Sequence, residues 1–303
     1  MIKERIQYSS LLAKCIIFCA LSILQLSPIK AQTKRALMVG ISVYGQTGAN
    51  AWQDIHGADD VSLIAPVLKK NGFRVTTISN KSATAFRIRQ ELKSLIKSCR
   101  NGDVVYLHFS CHGQPFEDLS GDEQDGWDES IIPYDAQMLY RRGVYEGKNH
   151  ITDDELFSYF QLLRKAVGER GYVCVVIDAC HAGGSSRGEE DDEEDVFVRG
   201  TKVAFSPQGK TYRPRINAAG HFPITRSAGL SHITILEACR SYQSNYEIKQ
   251  DGRYYGPLSY YVYKAISELS IKPSHDWIRH VKKNMDADRR LTRQNMVYET
   301  SLK

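Results

Sequence analysis

Short apolar runs alternate with amphipathic stretches along the chain from residue 35 to about residue 270. The runs have the length of buried strands, and the stretches between them place apolar residues three or four positions apart, as helices do. The predicted strands are Arg35 to Val43, Phe73 to Ile78, Val104 to Phe109, Tyr172 to Ile177 and Ile233 to Leu236. This alternation predicts an α/β fold, in which helices flank both faces of a parallel-dominated sheet to give an α/β/α sandwich.

Helices are predicted between these strands and again in the tail. They cover Ala58 to Lys70, about Ala83 to Cys99, Thr152 or Asp153 to about Val167, and about Leu258 to Leu269. Either Thr152 or Asp153 can cap its helix, because both side chains accept hydrogen bonds from the first N–H groups. After Pro273 the apolar residues again share one side of a helix: Trp277, Ile278, Val281 and Met285.

Residues 183–229 break the alternation. They contain several glycines, scattered basic residues and a run of seven consecutive acidic residues from Glu189 to Asp195. Connections longer than about 15 residues are uncommon inside compact domains and are mostly functional or mobile. We therefore expect a long, acidic and mobile loop that is exposed to solvent.

The first 31 residues have the pattern of a secretory signal peptide. Basic residues precede an apolar run from Cys15 to Leu26, and the small residue Ala31 stands where a cleavage point is expected. The run of about a dozen residues is shorter than the roughly 20 that span a bilayer, and a retained signal anchor is the alternative. The pattern predicts an exported protein, periplasmic or secreted, with no stable membrane insertion after residues 1–31 are removed.

Composition and charge exclude several classes of protein. The chain is 42% hydrophobic and 25% charged, which fits a globular domain and excludes disorder and coiled coil. Residues 1–31 carry four basic side chains and one acidic one, so the formal net charge of +5 falls to +2 without them. So small a charge predicts no nucleic-acid partner. The predicted organisation is a signal peptide (1–31), one domain that contains the long loop (34–270), and a basic helical C-terminal extension (271–303).

Three predicted strands end in polar clusters. The sequences there are Ser110-Cys111-His112-Gly113, Asp178-Ala179-Cys180-His181-Ala182-Gly183 and Glu237-Ala238-Cys239-Arg240. Carboxyl ends of parallel strands open into loops at one edge of the sheet, where catalytic groups collect. A cysteine and a histidine at that edge suit a thiolate nucleophile with an imidazole proton carrier. The cysteines do not have the spacing of a zinc site.

These segments resemble the caspase and metacaspase peptidases, and more closely the metacaspase branch with its bacterial relatives. The resemblance rests on the first strand, on Gly57-Ala58-Asp59-Asp60-Val61, on His112-Gly113, on Gly121 to Glu129, and on the Cys180 segment. It covers roughly residues 34–270, more than a short motif match would give. Alanines at 179 and 182 replace the serines of many metacaspases, but the reactive residues are unchanged.

The resemblance implies a cysteine endopeptidase with Cys180 as nucleophile and His112 as its catalytic partner. The imidazole would take the thiol proton and later protonate the leaving amine, while the N–H groups of Gly113 and Cys180 would stabilise the oxyanion. Two alternatives are that Cys180 is a buried residue without chemistry, or that Cys239 is the nucleophile. Cys180 follows His112 by 68 residues and Cys239 follows it by 127, and the caspase spacing of about 50 favours Cys180.

Asp60, Ser110 and Asp178 match the positions that form an acidic primary pocket in metacaspases. An enclosed charge needs a partner of opposite sign, so the resemblance implies cleavage after Arg or Lys in protein or peptide substrates. True caspases carry an arginine in the corresponding region, and residues 53–57 contain none. Asp60 has an alternative role as a helix-start carboxylate that offsets the helix dipole.

No cofactor is required for this chemistry, although calcium activation is a further expectation. Asp125, Asp128, Asp153 and Asp154 resemble the acidic region where some metacaspases bind an activating ion, and carboxylate oxygens suit calcium. Asp153 and Asp154 fit equally well as helix-start residues. The metal ligands therefore stay unassigned.

Basic residues in the long loop predict self-processing. Arg187, Arg199, Lys202 and Lys210 lie in a charged, glycine-containing segment of the kind that proteases cut. An enzyme that cleaves after basic residues would therefore cut its own chain between residues 187 and 210.

Two other functions compete with a peptidase. A catalytically silent caspase-fold interaction module would share the fold, but it would not need both His112 and Cys180. A flavodoxin-like nucleotide domain would share the sheet, but the first strand is not followed by a glycine-rich phosphate loop. The sequence therefore favours the peptidase.

Overall fold

The computed structural model describes residues 32–121, 123, 125–180, 196–213 and 222–302 of the chain. The predicted signal peptide, Arg187, the acidic run from Glu189 to Asp195, and His181 to Gly183 lie outside the described residues. Within the described ranges, no helix is both long enough and apolar enough to cross a bilayer.

The strands form where the apolar runs predict them, with several short additions. They are β1 (Lys34–Gly40), β2 (Phe73–Ser79), β3 (Val104–Ser110), β4 (Gly113–Glu117), β5 (Trp127–Ile131), β6 (Ile151–Thr152), β7 (Tyr172–Asp178), β8 (His232–Glu237), β9 (Ile248–Gln250), β10 (Arg253–Tyr255) and β11 (Val297–Thr300). In the described chain the central sheet has six strands in the order β11-β8-β7-β3-β1-β2. β3 and β7 are buried along their whole length, which explains their uninterrupted apolar sequences.

Helices cover both faces of this sheet. They are α1 (Gly57–Lys70), α2 (Ala85–Ser98), α3 (Asp153–Val167), α4 (Pro257–Glu268) and α5 (His275–Ala287). One apolar cluster packs α2 and α3 against the sheet, and a second packs α1, α4 and α5 against it. The predicted α/β/α architecture is confirmed. The predicted cap of α3 is the hydroxyl of Thr152, which accepts the N–H of Glu155.

Parallel pairing brings the polar strand ends to one edge. Ser110 at the end of β3 stands in register with Asp178 at the end of β7 and with Gly40 of β1. β7 pairs in turn with β8, whose Glu237 stands opposite Ile177. Residues just beyond these ends therefore gather at the same place, as expected for a parallel sheet.

Two smaller sheets lie outside the central one. β4, β5 and β6 form an antiparallel sheet that begins at Gly113, directly after His112, and β9 pairs with β10 as a hairpin. β4 thereby continues the chain from the polar edge of the central sheet into this second sheet.

The tail from residue 271 is part of the domain, which corrects the sequence-based boundary at residue 270. The predicted helix forms as α5, but its apolar side joins the same cluster as α1 and α4. β11 then pairs antiparallel with β8 at the edge of the central sheet. All four residues of β11 are only partly buried, so their sequence carries no strong strand pattern.

The described part of the long loop also departs from the prediction of a mobile, solvated segment. Arg199 and Phe205 are both 0% exposed. Phe205 stacks on Phe116 of β4 at a ring-centroid separation of 5.0 Å. A buried charge and a buried ring fix residues 196–213 to the domain, because their partners come from distant parts of the chain.

Candidate active site

Two backbone N–H groups beyond β3 and β7 converge on a single carbonyl oxygen. The N–H groups of Gly113 and Cys180 donate to the carbonyl oxygen of Arg199 at N···O distances of 3.1 and 2.9 Å. These are the two groups that the sequence predicts for an oxyanion site. Two donors on one carbonyl oxygen polarise the bond in the direction that favours attack on its carbon.

His112 is held with one ring nitrogen available. Its Nε2 lies 2.8 Å from the carbonyl oxygen of Gln53, to which it can only donate. Nδ1 therefore carries the lone pair, and this buried atom has no hydrogen-bond partner among the described residues. Burial lowers the pKa of His112 to about 4, so the imidazole is neutral near pH 7 and Nδ1 can accept a proton. Tyr44 and Trp52 pack against the ring at centroid separations of 5.0 and 5.1 Å.

Cys180 lies beside a second cysteine. Its thiol donates to the carbonyl oxygen of Gln243 at 2.8 Å, and the thiol of Cys239 lies 3.5 Å from the same oxygen. A hydrogen bond with Cys180 and burial raise the pKa of Cys239, which keeps that thiol protonated and weakly nucleophilic. Cys180 is better placed than Cys239 to reach the Arg199 carbonyl carbon, because the N–H of Cys180 donates to that carbonyl oxygen.

The guanidinium of Arg199 fills the predicted acidic pocket. Its Nη1 lies 2.8 Å from Asp60 Oδ2, 3.7 Å from Asp178 Oδ1, and within hydrogen-bond distance of the Ser110 hydroxyl. Its Nε and Nη2 donate to Glu247 Oε1 at 3.0 and 2.8 Å. All three residues predicted for the pocket therefore contact one cation, which the chain itself supplies.

The pocket carboxylates are oriented by their own hydrogen bonds. Asp178 accepts from the side-chain amide of Asn245 and from both the N–H and the hydroxyl of Ser259, each at 2.7 Å. Asp60 accepts from the N–H of Gly256 at 3.1 Å. Only glycine leaves this space open, because a Cβ at Gly256 would lie 2.2 Å from an oxygen of Asp178.

In the pocket, burial and the neighbouring charges shift the pKa values of the ionisable groups in opposite directions. Burial alone would lower the pKa of Arg199, but the surrounding carboxylates outweigh it and raise that pKa. Burial raises the pKa of Asp60 to about 7, although Arg199 acts to lower it. Burial would also raise the pKa of Glu247, but Arg199 and His56 bring it below its ordinary value. Burial of Asp60 and Glu247 therefore favours their neutral forms, and the neighbouring Arg199 cation favours their ionised forms.

The backbone before the Arg199 carbonyl pairs like an added β-strand. The N–H of Arg199 donates to the carbonyl oxygen of Asn245 at 3.0 Å. The N–H of Glu247 donates to the carbonyl oxygen of Phe197, also at 3.0 Å. Such pairing is how extended peptides bind to exposed backbone edges.

The backbone after that carbonyl follows β4. Gly200 bridges to Gly113 in parallel orientation. Further on, the N–H of Phe205 donates to the carbonyl oxygen of Pro115 at 2.8 Å, and the N–H of Glu117 donates back to Phe205 at 2.9 Å. The segment thus crosses the site as an extended peptide, and its Arg199–Gly200 bond lies at the two converging N–H groups.

Residues 34–186 match the family model described as the metacaspase, peptidase C14 domain, which is more than half of the chain. The chain belongs to the metacaspase family. Metacaspase-1 of Mycosarcoma maydis is 29% identical over 160 residues, which cover 50% of this chain and 36% of that protein. Metacaspase-7 of Arabidopsis thaliana is 33% identical over 162 residues, covering 50% of this chain and 35% of that protein.

The sequence matches and the structural match support different conclusions. The chain spans about a third of the length of these two curated relatives, so their full-length activities are not transferred by the match. A crystal structure of a Geobacter sulfurreducens protein is similar at a TM-score of 0.58 and 21% identity, covering 89% of this chain and 93% of that one. That likeness confirms the fold alone.

Sequence reasoning did not identify two residues of this metacaspase's pocket, Glu247 and His56. Glu247 binds Arg199, and it also accepts the N–H of His56 at 2.8 Å while its Oε2 lies 2.5 Å from His56 Nδ1. These two residues are 191 positions apart, so no local pattern connects them. The usable signal was indirect, since Glu247 follows the polar strand end at Glu237 to Arg240.

The basic residues of the loop differ in their surroundings. Arg199 is buried, whereas Lys202 is exposed to solvent. Lys210 is half exposed and pairs with Glu117 at 2.7 Å. Among the described candidates for self-cleavage, Arg199 alone has both its side chain in the acidic pocket and its carbonyl at the oxyanion donors.

The acidic residues that the sequence suggests for calcium do not come together as a set of metal ligands within the described ranges. There, no group of three or more His, Cys, Asp or Glu side chains is arranged to hold a metal ion. Asp153 and Asp154 occupy the first turn of α3, and Asp153 Oδ1 accepts the N–H of Glu129 at 3.2 Å. Asp125 precedes β5 and Asp128 lies within it, while residues 122 and 124 are outside the description. We derive no step through a metal.

Two further cysteines lie in apolar surroundings. Cys111 and Cys174 are buried in the clusters on opposite faces of the sheet. Burial raises the pKa of Cys111 to about 12, so its thiol is inert despite its position next to His112. The side chain of Cys111 points into the core, as expected for a strand that alternates its side chains.

Proposed function

We propose that this metacaspase is a cysteine endopeptidase that cleaves after Arg or Lys, and that its first substrate is its own Arg199–Gly200 bond. One observation carries the proposal: the Arg199 carbonyl accepts from both Gly113 and Cys180 while its side chain fills the acidic pocket. A peptide held in this way has the two features of a bound substrate, namely a polarised carbonyl and a recognised side chain.

The residues support a conventional acyl transfer. His112 Nδ1 takes the thiol proton, and Cys180 Sγ attacks the Arg199 carbonyl carbon, whose oxygen becomes an oxyanion held by the two N–H groups. The C–N bond to Gly200 breaks as His112 returns the proton to the leaving amine. Water then attacks the Cys180 thioester and releases an Arg199 carboxylate and the free thiol. No cofactor takes part in either step.

Charge supports the preference for basic residues. Asp60, Asp178 and Glu247 surround the arginine cation, and an aspartate side chain would add a fourth negative charge to a buried site. Peptides that carry aspartate before the cleaved bond should therefore be poor substrates.

The two products of self-cleavage would stay together. The N-terminal fragment holds His112 and Cys180, and the C-terminal fragment holds Cys239 with β8 and β11. β8 pairs with β7 along six positions inside the central sheet, and cutting at residue 199 breaks none of these hydrogen bonds. The cleaved protein is therefore a two-chain form of the same fold.

We propose that the substrates are exported proteins or peptides with basic residues. The signal-peptide pattern in residues 1–31 supports a periplasmic or secreted enzyme, and the net charge of +2 on the remaining chain gives no affinity for nucleic acid.

Self-cleavage is tested by incubating the purified protein beside its Cys180→Ala variant and sequencing new N-termini. The wild type should produce a chain that begins at Gly200, and the variant should stay intact. Arg199→Ala should also stop the cut, whereas Lys202→Ala is the matched control and should be cut normally. Fragments in the Cys180→Ala sample would point to another protease and remove the evidence for self-processing.

Cleavage in trans is tested with fluorogenic peptides that carry arginine, lysine or aspartate before the reporter, with and without added calcium. Hydrolysis of the arginine and lysine peptides that is lost in Cys180→Ala and retained in Cys239→Ala supports the proposal. A Cys239→Ala variant that is inactive beside an active Cys180→Ala would reassign the nucleophile. A wild type that cleaves none of the peptides, and not itself, would favour the silent interaction module.

A further inference from the structure

The residue two positions before Arg199 has a binding site of its own. The ring of Phe197 contacts the rings of His56 and Tyr254 at centroid separations of 4.6 and 4.8 Å. His56 and Tyr254 stack on each other at 5.2 Å, and together they form what we call the aromatic corner. Edge-on contacts at these separations stabilise aromatic pairs beyond the effect of burial alone.

Backbone pairing sets which side chain enters the corner. Side chains alternate along an extended strand, so Phe197 and Arg199 project to one side and Val198 projects to the other. The hydrogen bonds to residues 245 and 247 hold this register. An aromatic residue two positions before the arginine therefore reaches the corner whenever that arginine enters the pocket.

Glu247 connects the aromatic corner to the acidic pocket. Its Oε1 accepts both Nε and Nη2 of Arg199, and its Oε2 pairs with His56 Nδ1. Lysine has no Nε, and its single terminal nitrogen cannot contact Glu247 and Asp60 with the geometry of a guanidinium. Glu247 therefore favours arginine over lysine.

The residue after the cleaved bond is also restricted. A Cβ built at Gly200 would lie 2.0 Å from the carbonyl oxygen of Cys180 and 3.2 Å from its Cβ. The closer contact is to backbone, which no side-chain rotation can relieve. Glycine is the residue that fits at this position.

Resting on the proposed peptidase function, we propose that the cleft selects aromatic-x-Arg-Gly sequences in protein or peptide substrates. The aromatic corner of His56 and Tyr254 binds the first side chain, Glu247 selects arginine over lysine, and the backbone of Cys180 requires the glycine. The segment Phe197-Val198-Arg199-Gly200 is this chain's own example of the sequence.

The aromatic corner is tested by comparing kcat/KM for Phe-Val-Arg and Ala-Val-Arg reporter peptides. We expect the wild type to prefer the first by about tenfold, as two edge-on aromatic contacts would give. Tyr254→Ala removes one of the two contacts and leaves that with His56, so it should lower the ratio to about threefold, and Tyr254→Phe should retain the full ratio. Phe86→Ala removes an aromatic ring that is 74% exposed on α2, and this control should keep the full preference.

The preferences for arginine in the pocket and for glycine after the cleaved bond are tested with paired peptides in the same way. Phe-Val-Arg should be cleaved at least about tenfold better than Phe-Val-Lys, and Glu247→Gln should reduce that ratio. An internally quenched peptide with Arg-Gly should be cleaved faster than its Arg-Ala counterpart. Each ratio is measured on one preparation, so partial loss of folded protein affects both peptides equally.

A binding measurement separates this proposal from the peptidase. Labelled Phe-Val-Arg and Ala-Val-Arg are titrated against a Phe197→Ala/Arg199→Ala double variant, in which the chain's own side chains fill neither the aromatic corner nor the pocket, with Lys202→Ala as a control that keeps both. Tighter binding of Phe-Val-Arg without hydrolysis of any peptide would support the aromatic corner and overturn the peptidase. Hydrolysis that is equal for the two peptides would overturn the aromatic corner and leave the peptidase standing.

Discussion

The segment that crosses the active site is held by different forces on the two sides of the Arg199–Gly200 bond. Before the bond, Arg199 is surrounded by buried carboxylates and the backbone pairs with residues 245 and 247. After the bond, Phe205 is buried against the rings of Phe116 and His150 at centroid separations of 5.0 and 4.4 Å. Charge therefore holds one half and apolar packing holds the other.

This difference assigns separate roles to the two halves. Under the proposed function, the arginine of another peptide would replace the charged half, because the contacts of the pocket are to a cation and not to the rest of the segment. The apolar half contributes to the stability of the domain, since Phe205 is fully buried among rings of the domain. Substitutions before the bond should change activity, and substitutions after it should change the free energy of unfolding.

Asp60→Asn should give the largest effect on activity. We expect kcat/KM for arginine peptides to fall by about 30-fold or more, because truncating one partner of a buried ion pair typically costs about 2–5 kcal/mol. Asp59→Asn is the matched control, since Asp59 is the exposed neighbour in the same helix turn. Equal loss in the two variants would show that helix electrostatics, and not contact with the cation, explains the effect.

Phe205→Ala should give the largest effect on stability. Removing a fully buried aromatic ring should lower the free energy of unfolding by about 3–5 kcal/mol. The measurement is urea unfolding in a Cys180→Ala background, which prevents self-cleavage during the experiment. Val203→Ala, at a side chain that is 42% exposed, should change the value by less than about 0.5 kcal/mol. If the two variants were equally stable, apolar packing would not be what holds the downstream half.

The raised pKa of Asp60 predicts opposite pH dependences for stability and activity. Its pKa is about 7 in the folded protein against an ordinary value of 3.8, so the folded chain binds the extra proton between these values. The contribution of Asp60 to the free energy of unfolding therefore decreases as pH rises through that window. Arginine binding needs the ionised carboxylate, so kcat/KM should rise towards pH 7 and above.

Comparison of the wild type with Asp60→Asn isolates this group from other titrating residues. The variant should lose stability less steeply between about pH 4 and 7, and its activity should lack the rise near neutral pH. A constant difference in unfolding free energy between the two proteins across that range would contradict the prediction.

Lys210→Ala should give the smallest effect. Lys210 pairs with Glu117 at 2.7 Å, and the lysine side chain is 51% exposed whereas that of Glu117 is buried, so we expect a loss of about 1 kcal/mol, the upper end for exposed pairs. Glu117 keeps its hydrogen bonds from the Ser206 hydroxyl and the Gln208 N–H. A loss in urea unfolding as large as that of Phe205→Ala would mean that charge holds both halves of the segment.

The central sheet and the positions of His112 and Cys180 at its edge could be predicted because their signals are local. β3 and β7 are buried on both faces, so their sequences are continuously apolar, and His112 and Cys180 follow where those runs stop. Parallel pairing then places them at one edge without further information. The short edge strand β11 could not be predicted in this way, because its residues are only partly buried and its position depends on β8.

The acidic pocket was predicted in part, and its occupant was not. The resemblance to metacaspases led to Asp60, Ser110 and Asp178, but composition suggested that the segment around Arg199 would be a solvated loop. Its charged residues look the same in sequence whether they face water or a buried partner.

Local pattern was sufficient for the long buried strands, the helices and the positions of His112 and Cys180, because burial and strand ends are visible in consecutive residues. Local pattern did not indicate which basic residue of the loop lies in the acidic pocket. Arg199 lies there because of contacts with distant parts of the folded chain. Its guanidinium contacts Ser110 and Glu247, which are 89 and 48 positions away. A buried cation is stable only where several carboxylates converge, and such convergence exists only after the sheet, the helices and the loop after β8 have packed together.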